Sequence, residues 1–330
     1  MTIAPEQEIE LLPTGSWPES KHRFDEKSVL AVNAAIASGR PLLLRGEPGI
    51  GKSQLARAVA AAHKVPFLYT VLDERSERDD LFYHYDAIAR LAEAQVAGLL
   101  AQEEETKTSW REHLAERNFI RPGVLWWAFN WKDASDQAER FAQATKRKIA
   151  TWDAGDWTPK SKSLCGPVVL VDEIDKTDPS VPNGLLEGLG NQGFQTDQLG
   201  EAVCLPKGAK PPLILITTNE ERELPAAFLR RCLVLRMVFP ENDQAEEFLR
   251  TRARVHFSEK QISDEVCNLV AAQLLLDREQ ARKKAMPEPG AAEYLDLLRI
   301  LAKTKGNKAQ KEAYKHLSEF TFRKHLERRR

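Results

Sequence analysis

The apolar positions of this chain keep two rhythms that alternate for most of its length and reduce to one near the end. Short unbroken apolar runs recur at 41–45 (PLLLR), 66–72 (PFLYTVL), 168–171 (VVLV), 212–218 (PLILITT) and 233–238 (LVLRMV). Runs of four to eight apolar, β-branched residues without alternation are the mark of strands covered on both faces, as in a parallel sheet. Between them the spacing turns helical. Val29, Val32, Ala35 and Ile36 share a face over 24–38, and Leu55, Ala56, Val59 and Ala60 do so after Ser53. Strands alternating with helices predict a parallel sheet with helices on both faces. After Pro240 only the helical rhythm remains, over 242–254, 264–282 and 291–303. Ala245, Phe248 and Leu249, then Leu269, Val270, Ala272, Leu274 and Leu276, supply the apolar face of a small helical domain.

Two stretches interrupt the alternation. From Lys52 to Asp172 the chain runs 120 residues, more than one helix and one strand require. One insert, about 73–118, is dense in charge and helix formers, including 87–102. A second, 132–166, reads as a helix over 133–150 and then a loop bearing Trp152, Trp157 and Pro159. Exposed tryptophans tend to anchor partners, so this loop is read as a docking platform set against plain surface elaboration. Trp126 and Trp127 sit among apolar neighbours and read as core, and His84 between two tyrosines reads as structural. Residues 1–20, rich in Pro and Glu, read as a loose arm, and 323–330 as a solvated basic tail.

Bulk composition narrows the classes. The 330 residues suit about two domains. With 48 basic and 49 acidic residues the net charge is −1, so no overall field draws the chain to polyanions. No run approaches the ~18 apolar residues of a membrane span, and the opening MTIAPEQEIE lacks the blocks of a secretory signal. Cys165, Cys204, Cys232 and Cys267 are scattered, without metal-ligand or redox spacing, which fits a reducing compartment. A cytoplasmic location is the expectation.

The chemistry concentrates at strand ends. GEPGIGKS, 46–53, fits G-x-x-x-x-G-K-[ST] between a strand and a helix. Its glycines let consecutive N–H groups curl towards phosphate oxygens, and the helix N-terminus adds partial positive charge. Lys52 would reach the β- and γ-phosphates and the Ser53 hydroxyl would ligate Mg²⁺. Asp172 and Glu173 close the apolar run at 168–171, at the edge where ligands of open α/β sheets gather. One carboxylate there can hold the metal's shell while its neighbour polarises water. Asn219 ends the next strand, where a neutral amide can orient that water. Arg230 and Arg231 precede the last strand, either as a surface ion pair or as charge offered to a neighbouring subunit's γ-phosphate.

The ordered set GEPGIGKS, VVLVDEID, TTNE and FLRRC resembles the AAA+ ATPases. Further likeness in HRFD (22–25), PLLLRGEPGIGKSQLARAVA, DDLF with YDA (79–87), RPGVLW (121–126) and VPNGLLE (181–187) resembles the MoxR family over roughly 20–300. The resemblance implies a P-loop three-layer αβα core over 21–239, with inserts at about 73–118 and 132–166, followed by an all-helical lid over 240–330. It implies an ATP cradle of Gly46, Glu47, Pro48, Gly49, Ile50, Gly51, Lys52, Ser53 and Gln54, and Mg²⁺ held by Ser53 and Asp172. Glu173 would be the catalytic carboxylate, Asn219 the polar sensor, and Arg231, with Arg230 second, the arginine finger. One element departs from the wider pattern: the lid helix opens MPEPGAAE (286–293) with no arginine at its head, while Arg282, Lys283, Lys284 and Arg299 lie nearby.

The implied activity is ATP hydrolysis in a ring of identical chains, a hexamer, acting as a chaperone-like remodeller of a client complex. A partner with a von Willebrand A domain is implied by the family alone. A nucleic-acid motor is the second reading, and near-neutral charge without a basic, aromatic-lined groove counts against it. A nucleotide-gated scaffold without turnover is the third, and the presence of Glu173 counts against it. No residue identifies the purine, so GTP in place of ATP stays open.

Overall fold

The computed structural model describes residues 3–100, 104–149, 151–159, 163–241 and 243–321; the basic tail at 323–330 lies outside them. The chain opens with β1 (Glu8–Leu11), β2 (Ser20–Arg23), α1 (Glu26–Ser38), β3 (Leu42–Arg45), α2 (Lys52–His63) and β4 (Phe67–Val71). Next come β5 (Tyr83–Tyr85), α3 (Ala87–Leu100), α4 (Glu104–His113), β6 (Ile120–Pro122), α5 (Val124–Phe129), α6 (Trp131–Thr145) and β7 (Val168–Asp172). Then follow α7 (Ser180–Asn191), β8 (Gly193–Phe194), β9 (Val203–Cys204), β10 (Leu213–Thr218), α8 (Ala226–Arg231) and β11 (Leu233–Arg236). Helices α9 (Asp243–His256), α10 (Asp264–Lys283), α11 (Ala291–Leu301) and α12 (Asn307–Thr321) complete it.

The five unbroken apolar runs form one five-stranded parallel sheet in the order β11-β3-β10-β7-β4, flanked by helices. Strand β7 is central to the acid site. It pairs in parallel with β10, Leu213 beside Val168, and with β4, Val71 beside Asp172. Val168–Asp172 is fully buried up to its last residue, as expected of a strand covered on both faces.

Two compact units share the chain, and the division falls within β3. One consists mainly of Lys27–Leu43 and Val59–Leu235. Its core joins Leu68, Val169, Val171 and Ile216 to Trp126, Trp127, Phe129, Leu185 and Phe228. Trp126 and Trp127 are buried, and Trp126 Nε1 donates to Asp133 Oδ2 at 2.7 Å, so the indole N–H is not left unpaired in the core. The tryptophans of the second insert also turn inward. Trp157 stands edge-on to Trp131 at 5.6 Å and Trp152 edge-on to Tyr69 at 5.2 Å. Both are half-buried packing residues rather than exposed anchors, because burying an indole against the sheet's aromatic edge is worth more than leaving it wet. Helix α6 stops at Thr145, short of 150, where Lys146 takes a left-handed conformation at φ 56°.

The other unit gathers Ala4–Glu26, Leu44–Ala58 and Arg236–Arg330. Its core runs from Ile50 and Phe239 through Leu249, Val266, Leu274, Tyr294 and Leu298 to Tyr314. The N-terminal stretch read as a loose arm is instead half of an antiparallel pair, with Ile9 opposite His22 and Leu11 buried opposite Ser20. Arg57 holds the loop between these strands by donating to Leu12 O at 2.8 Å. Helix α12 adds a fourth helix beyond the three that the periodicity picked out. Among the described residues no helix is long and apolar enough to cross a membrane.

Close packing at α7 makes a stability prediction. A Cβ at Gly188 would stand 2.3 Å from the Phe82 ring, whereas one at Gly190 would meet nothing within 4 Å. Gly188→Ala is expected to destabilise by about 1–3 kcal/mol, and Gly190→Ala to be neutral or slightly stabilising. Denaturant melts of the two variants side by side check this; equal midpoints would refute the contact.

Candidate active site

The phosphate-loop motif begins where β3 ends. Gly46 takes φ 149°, and a Cβ there would come 2.1 Å from Met237 O, so only glycine lets the chain leave the strand at this point. Gly51, at φ 105°, turns the chain into α2, whose first helical bond runs from Leu55 N to Gly51 O at 3.0 Å. Lys52 is buried, and its ammonium donates to Gly46 O at 2.6 Å and Glu47 O at 3.0 Å. The side chain thus closes back over the loop it follows. Ser53 and Gln54 lie in the first turn of the twelve-residue α2, with Gln54 Nε2 donating to Lys21 O at 2.9 Å. Backbone amides at a helix start, a buried ammonium and a hydroxyl are the donor set that a polyphosphate requires. The residues present fit such a group.

The rest of this unit braces the loop. Glu47 accepts from Arg278 at 2.9 Å, and the same guanidinium donates to Pro289 O at 2.7 Å and lies 3.9 Å over the Phe239 ring. Pro48 O lies 3.0 Å from a Cβ position on Gly290, and Ala292 Cβ as close to one on Gly49. The head of α11 therefore presents Ala292 and Glu293 to the loop, and Glu293 Oε2 accepts from Gly290 N at 3.0 Å. His22 on β2 is buried with Nε2 unpartnered among the described residues, its ring 4.8 Å from Phe24. Burial, reinforced by Arg252 and opposed by Asp25, lowers its pKa to about 3. His256 is lowered to about 4, chiefly by burial and then by Arg299 and Arg252.

In the other unit one hydroxyl organises the acid pair. Thr217 Oγ1 donates to Asp172 Oδ1 and accepts the Glu173 N–H at 2.9 Å. Glu173 leaves the strand in a left-handed conformation, φ 63°, which that accepted bond holds. Its carboxylate meets Lys176 Nζ at 2.9 Å and Asn219 Nδ2 at 3.4 Å. Asp175, buried, accepts from Asn219 N at 3.2 Å and Glu221 N at 2.9 Å. The turn after β7 is thereby tied to the turn after β10, and Asp172, Glu173 and Asn219 are brought together. The ion pair with Glu173 raises the Lys176 pKa.

Arg230 and Arg231 end α8 exposed, and among the described residues no hydrogen bond or ion pair engages either guanidinium. Their carbonyls are held instead. Arg40 donates to Arg231 O at 3.1 Å, Arg230 O at 2.5 Å and Cys232 O at 3.0 Å. Thr217, Asp175, Lys176, Arg40 and Arg278 all shape the site and were not singled out by pattern. Asp175 was visible inside VDEIDK, but its partners lie about 45 residues on, beyond any local signal.

Residues 41–232 match the AAA domain of the dynein-related subfamily. No curated protein matches the chain. Among solved structures the chain is similar to two point variants of RuvB from Thermotoga maritima. One match has 14% identity and a TM-score of 0.40, covering 89% of this chain and 69% of that one. The other has 15% identity and a TM-score of 0.41, covering 88% and 67%.

Two predictions follow from the polar contacts. Asp175→Ala removes the acceptor of two part-buried hydrogen bonds and should cost about 1–3 kcal/mol; hydrogen exchange should quicken at Asn219 and Glu221, and unchanged protection there would refute the tie. His22 in the unfolded chain takes a proton at its ordinary 6.5, while the folded chain resists it down to about 3. Stability should thus fall as pH drops through that window, by at most about 1.4 kcal/mol per pH unit for this group. His22→Phe should flatten the fall in melting temperature between pH 7.5 and 5; an identical fall would show that His22 is not held neutral.

Proposed function

The chain belongs to the dynein-related subfamily of AAA domains, and on that premise we propose that it is a Mg²⁺-dependent ATPase that works as a ring and remodels a client protein complex. The observation that carries the hydrolytic part is the Glu173 carboxylate at the end of a central parallel strand, oriented from one side by Asn219. The loop N–H groups between Gly46 and Gln54, Pro48 having none, and the Lys52 ammonium bind phosphate oxygens. Ser53 and Asp172 would hold Mg²⁺, and the ion would supply positive charge against the phosphates. Thr217 takes up one oxygen of Asp172 and so points the carboxylate. Glu173 accepts the proton of the attacking water, and Asn219 steadies both. In the resting chain Lys176 pairs with Glu173, so that pair must loosen before the carboxylate acts as a base.

The exposed guanidinia of Arg230 and Arg231 next to β11, without a partner among the described residues, support action in trans. Arg231, with Arg230 second, stabilises the transferring phosphoryl group in a neighbouring subunit, which makes turnover depend on assembly. The motif order from HRFD to VPNGLLE supports a MoxR-like remodeller within the family, with a hexameric ring and a client reached directly or through a von Willebrand A partner. Helix α3 of the first insert, with Ile88, Leu91 and Val96 exposed, is the surface offered to that client.

Phosphate release measured against protein concentration, with each species sized, tests the reading. Turnover per chain should rise as the ring forms. Glu173→Gln should cut it by about 10²–10⁴-fold with ATP binding intact, and Arg231→Ala by about 10³-fold or more. Turnover that is flat with concentration and indifferent to Arg231→Ala would remove the ring; Glu173→Gln at wild-type rate would remove the hydrolytic assignment.

A further inference from the structure

We propose that the cavity beside the β8–β9 hairpin is an aromatic cage for a guanidinium, and that its ligand is an arginine side chain on a peptide of a partner protein. The site lies within one unit of the chain, inside Val59–Leu235, and does not depend on the nucleotide reading.

Three rings form its apolar wall. Phe82, Tyr83 and Phe194 line a cavity of about 320 Å³ between the turn before β5, the end of α7 and the hairpin. Phe194 lies 5.2 Å from Phe82, stacks on Tyr83 at 5.9 Å with the planes 12° apart, and meets Trp126 at 5.3 Å. Phe82 is held from behind by α7, where a Cβ at Gly188 would stand 2.3 Å from its ring. Phe82 is buried, whereas Tyr83 and Phe194 keep part of their surface open. The volume suits a group of side-chain size, at the lower end of small-ligand sites, which begin at roughly 300 Å³.

The rim is acidic. Asp79 and Glu187 stand on it with one base, Arg78. Arg78 is already committed. Its stem lies so close to Gly184 that a Cβ there would come 2.4 Å from Cγ, and its Nη2 meets Glu187 Oε2 at 2.9 Å. Asp79 is oriented instead by the Tyr83 hydroxyl, which donates to Oδ2 at 3.0 Å, and among the described residues no lysine or arginine pairs with it. From Glu187 to Pro206 the chain adds Asp197 and Glu201 and no lysine or arginine, so the hairpin contributes acid only.

Aromatic faces beside a carboxylate attract organic cations, because the negative face of a ring and the acid act on the same charge. This rim repels an anion, and a plain alkyl group would strip water from Asp79 without replacing its hydrogen bonds. Among the described residues no cation of the chain lies over these three rings. A guanidinium fits better than an ammonium, since its plane stacks on a ring while its fork reaches a carboxylate. Arginine is also enriched among the side chains that anchor protein interfaces.

The experiment titrates the full chain calorimetrically with three probes. They are the peptide acetyl-Gly-Arg-Gly-amide, its citrulline analogue, which keeps the shape and loses the charge, and agmatine, a free guanidinium. The arginine peptide should bind about fivefold or more tighter than the citrulline peptide. Asp79→Asn and Phe194→Leu should each remove most of that difference. Cys204 lines the cavity and is the exposed thiol of the four, so it reports where the peptide sits. The arginine peptide should slow its reaction with N-ethylmaleimide, read by peptide mass spectrometry. Equal binding of the arginine and citrulline peptides would overturn the cage, as would binding that leaves Cys204 reacting at its free rate. A difference lost in Asp79→Asn but kept in Phe194→Leu would mean a bare acidic patch and overturn it too. Agmatine weaker than the peptide would support a protein partner; agmatine as tight would overturn that half and leave a small guanidinium as the ligand. Should a variant fail to fold, the citrulline comparison and the Cys204 rate in the wild type still decide.

Discussion

The shared hydroxyl of Thr217 is the contact on which the acid site depends. It donates to Asp172 and accepts from the backbone of Glu173, so one atom fixes both the direction of a carboxylate and the left-handed turn that follows it. An acid pair at a strand end is common and mostly solvated. This one is oriented because the neighbouring strand β10 puts a hydroxyl rather than a methyl group at the pairing position. Asp175 completes the lock by pulling the turn after β10 onto the turn after β7. Asp172, Glu173 and Thr217 are joined through that one hydroxyl, and Asp175 binds the backbone of Asn219 and Glu221 beside them.

How much of this could be read from the chain alone follows from the range of each interaction. The phosphate loop was legible position by position because its demands are local: glycine where φ is positive, lysine at the helix start, a strand before and a helix after. The sheet was legible because continuous β-branched runs have few other uses. What escaped were contacts between segments far apart in sequence. Thr217 looks like any strand residue until β10 is paired with β7. Trp152 and Trp157 looked exposed because their loop is polar, yet Tyr69 and Trp131 were there to receive them. The N-terminal stretch looked loose because four-residue strands carry almost no periodicity, and only the pairing of Ile9 with His22 reveals them.

Charge is distributed with a purpose in the helical unit. Arg250, Arg282, Lys283 and Arg299 are each paired at short range with an acid three to six residues away, as is usual on helices of this composition. Arg278 is neutralised too, but across more than two hundred residues, and its partner Glu47 is one of the four positions that the loop motif leaves open. A motif that permits any residue there is silent about that brace.

Arg40 has a consequence of a different kind. It grips three consecutive carbonyls at the end of α8, and it stands six residues before Gly46 along the same strand-bearing segment. Leu233 N adds a bond to Pro41 O at 2.9 Å, so the end of α8 and the start of β11 are both pinned to the residues that lead into β3. Arg230 and Arg231 thus project from a backbone held by a side chain some 190 residues earlier, and a substitution at position 40 would redirect both without touching either.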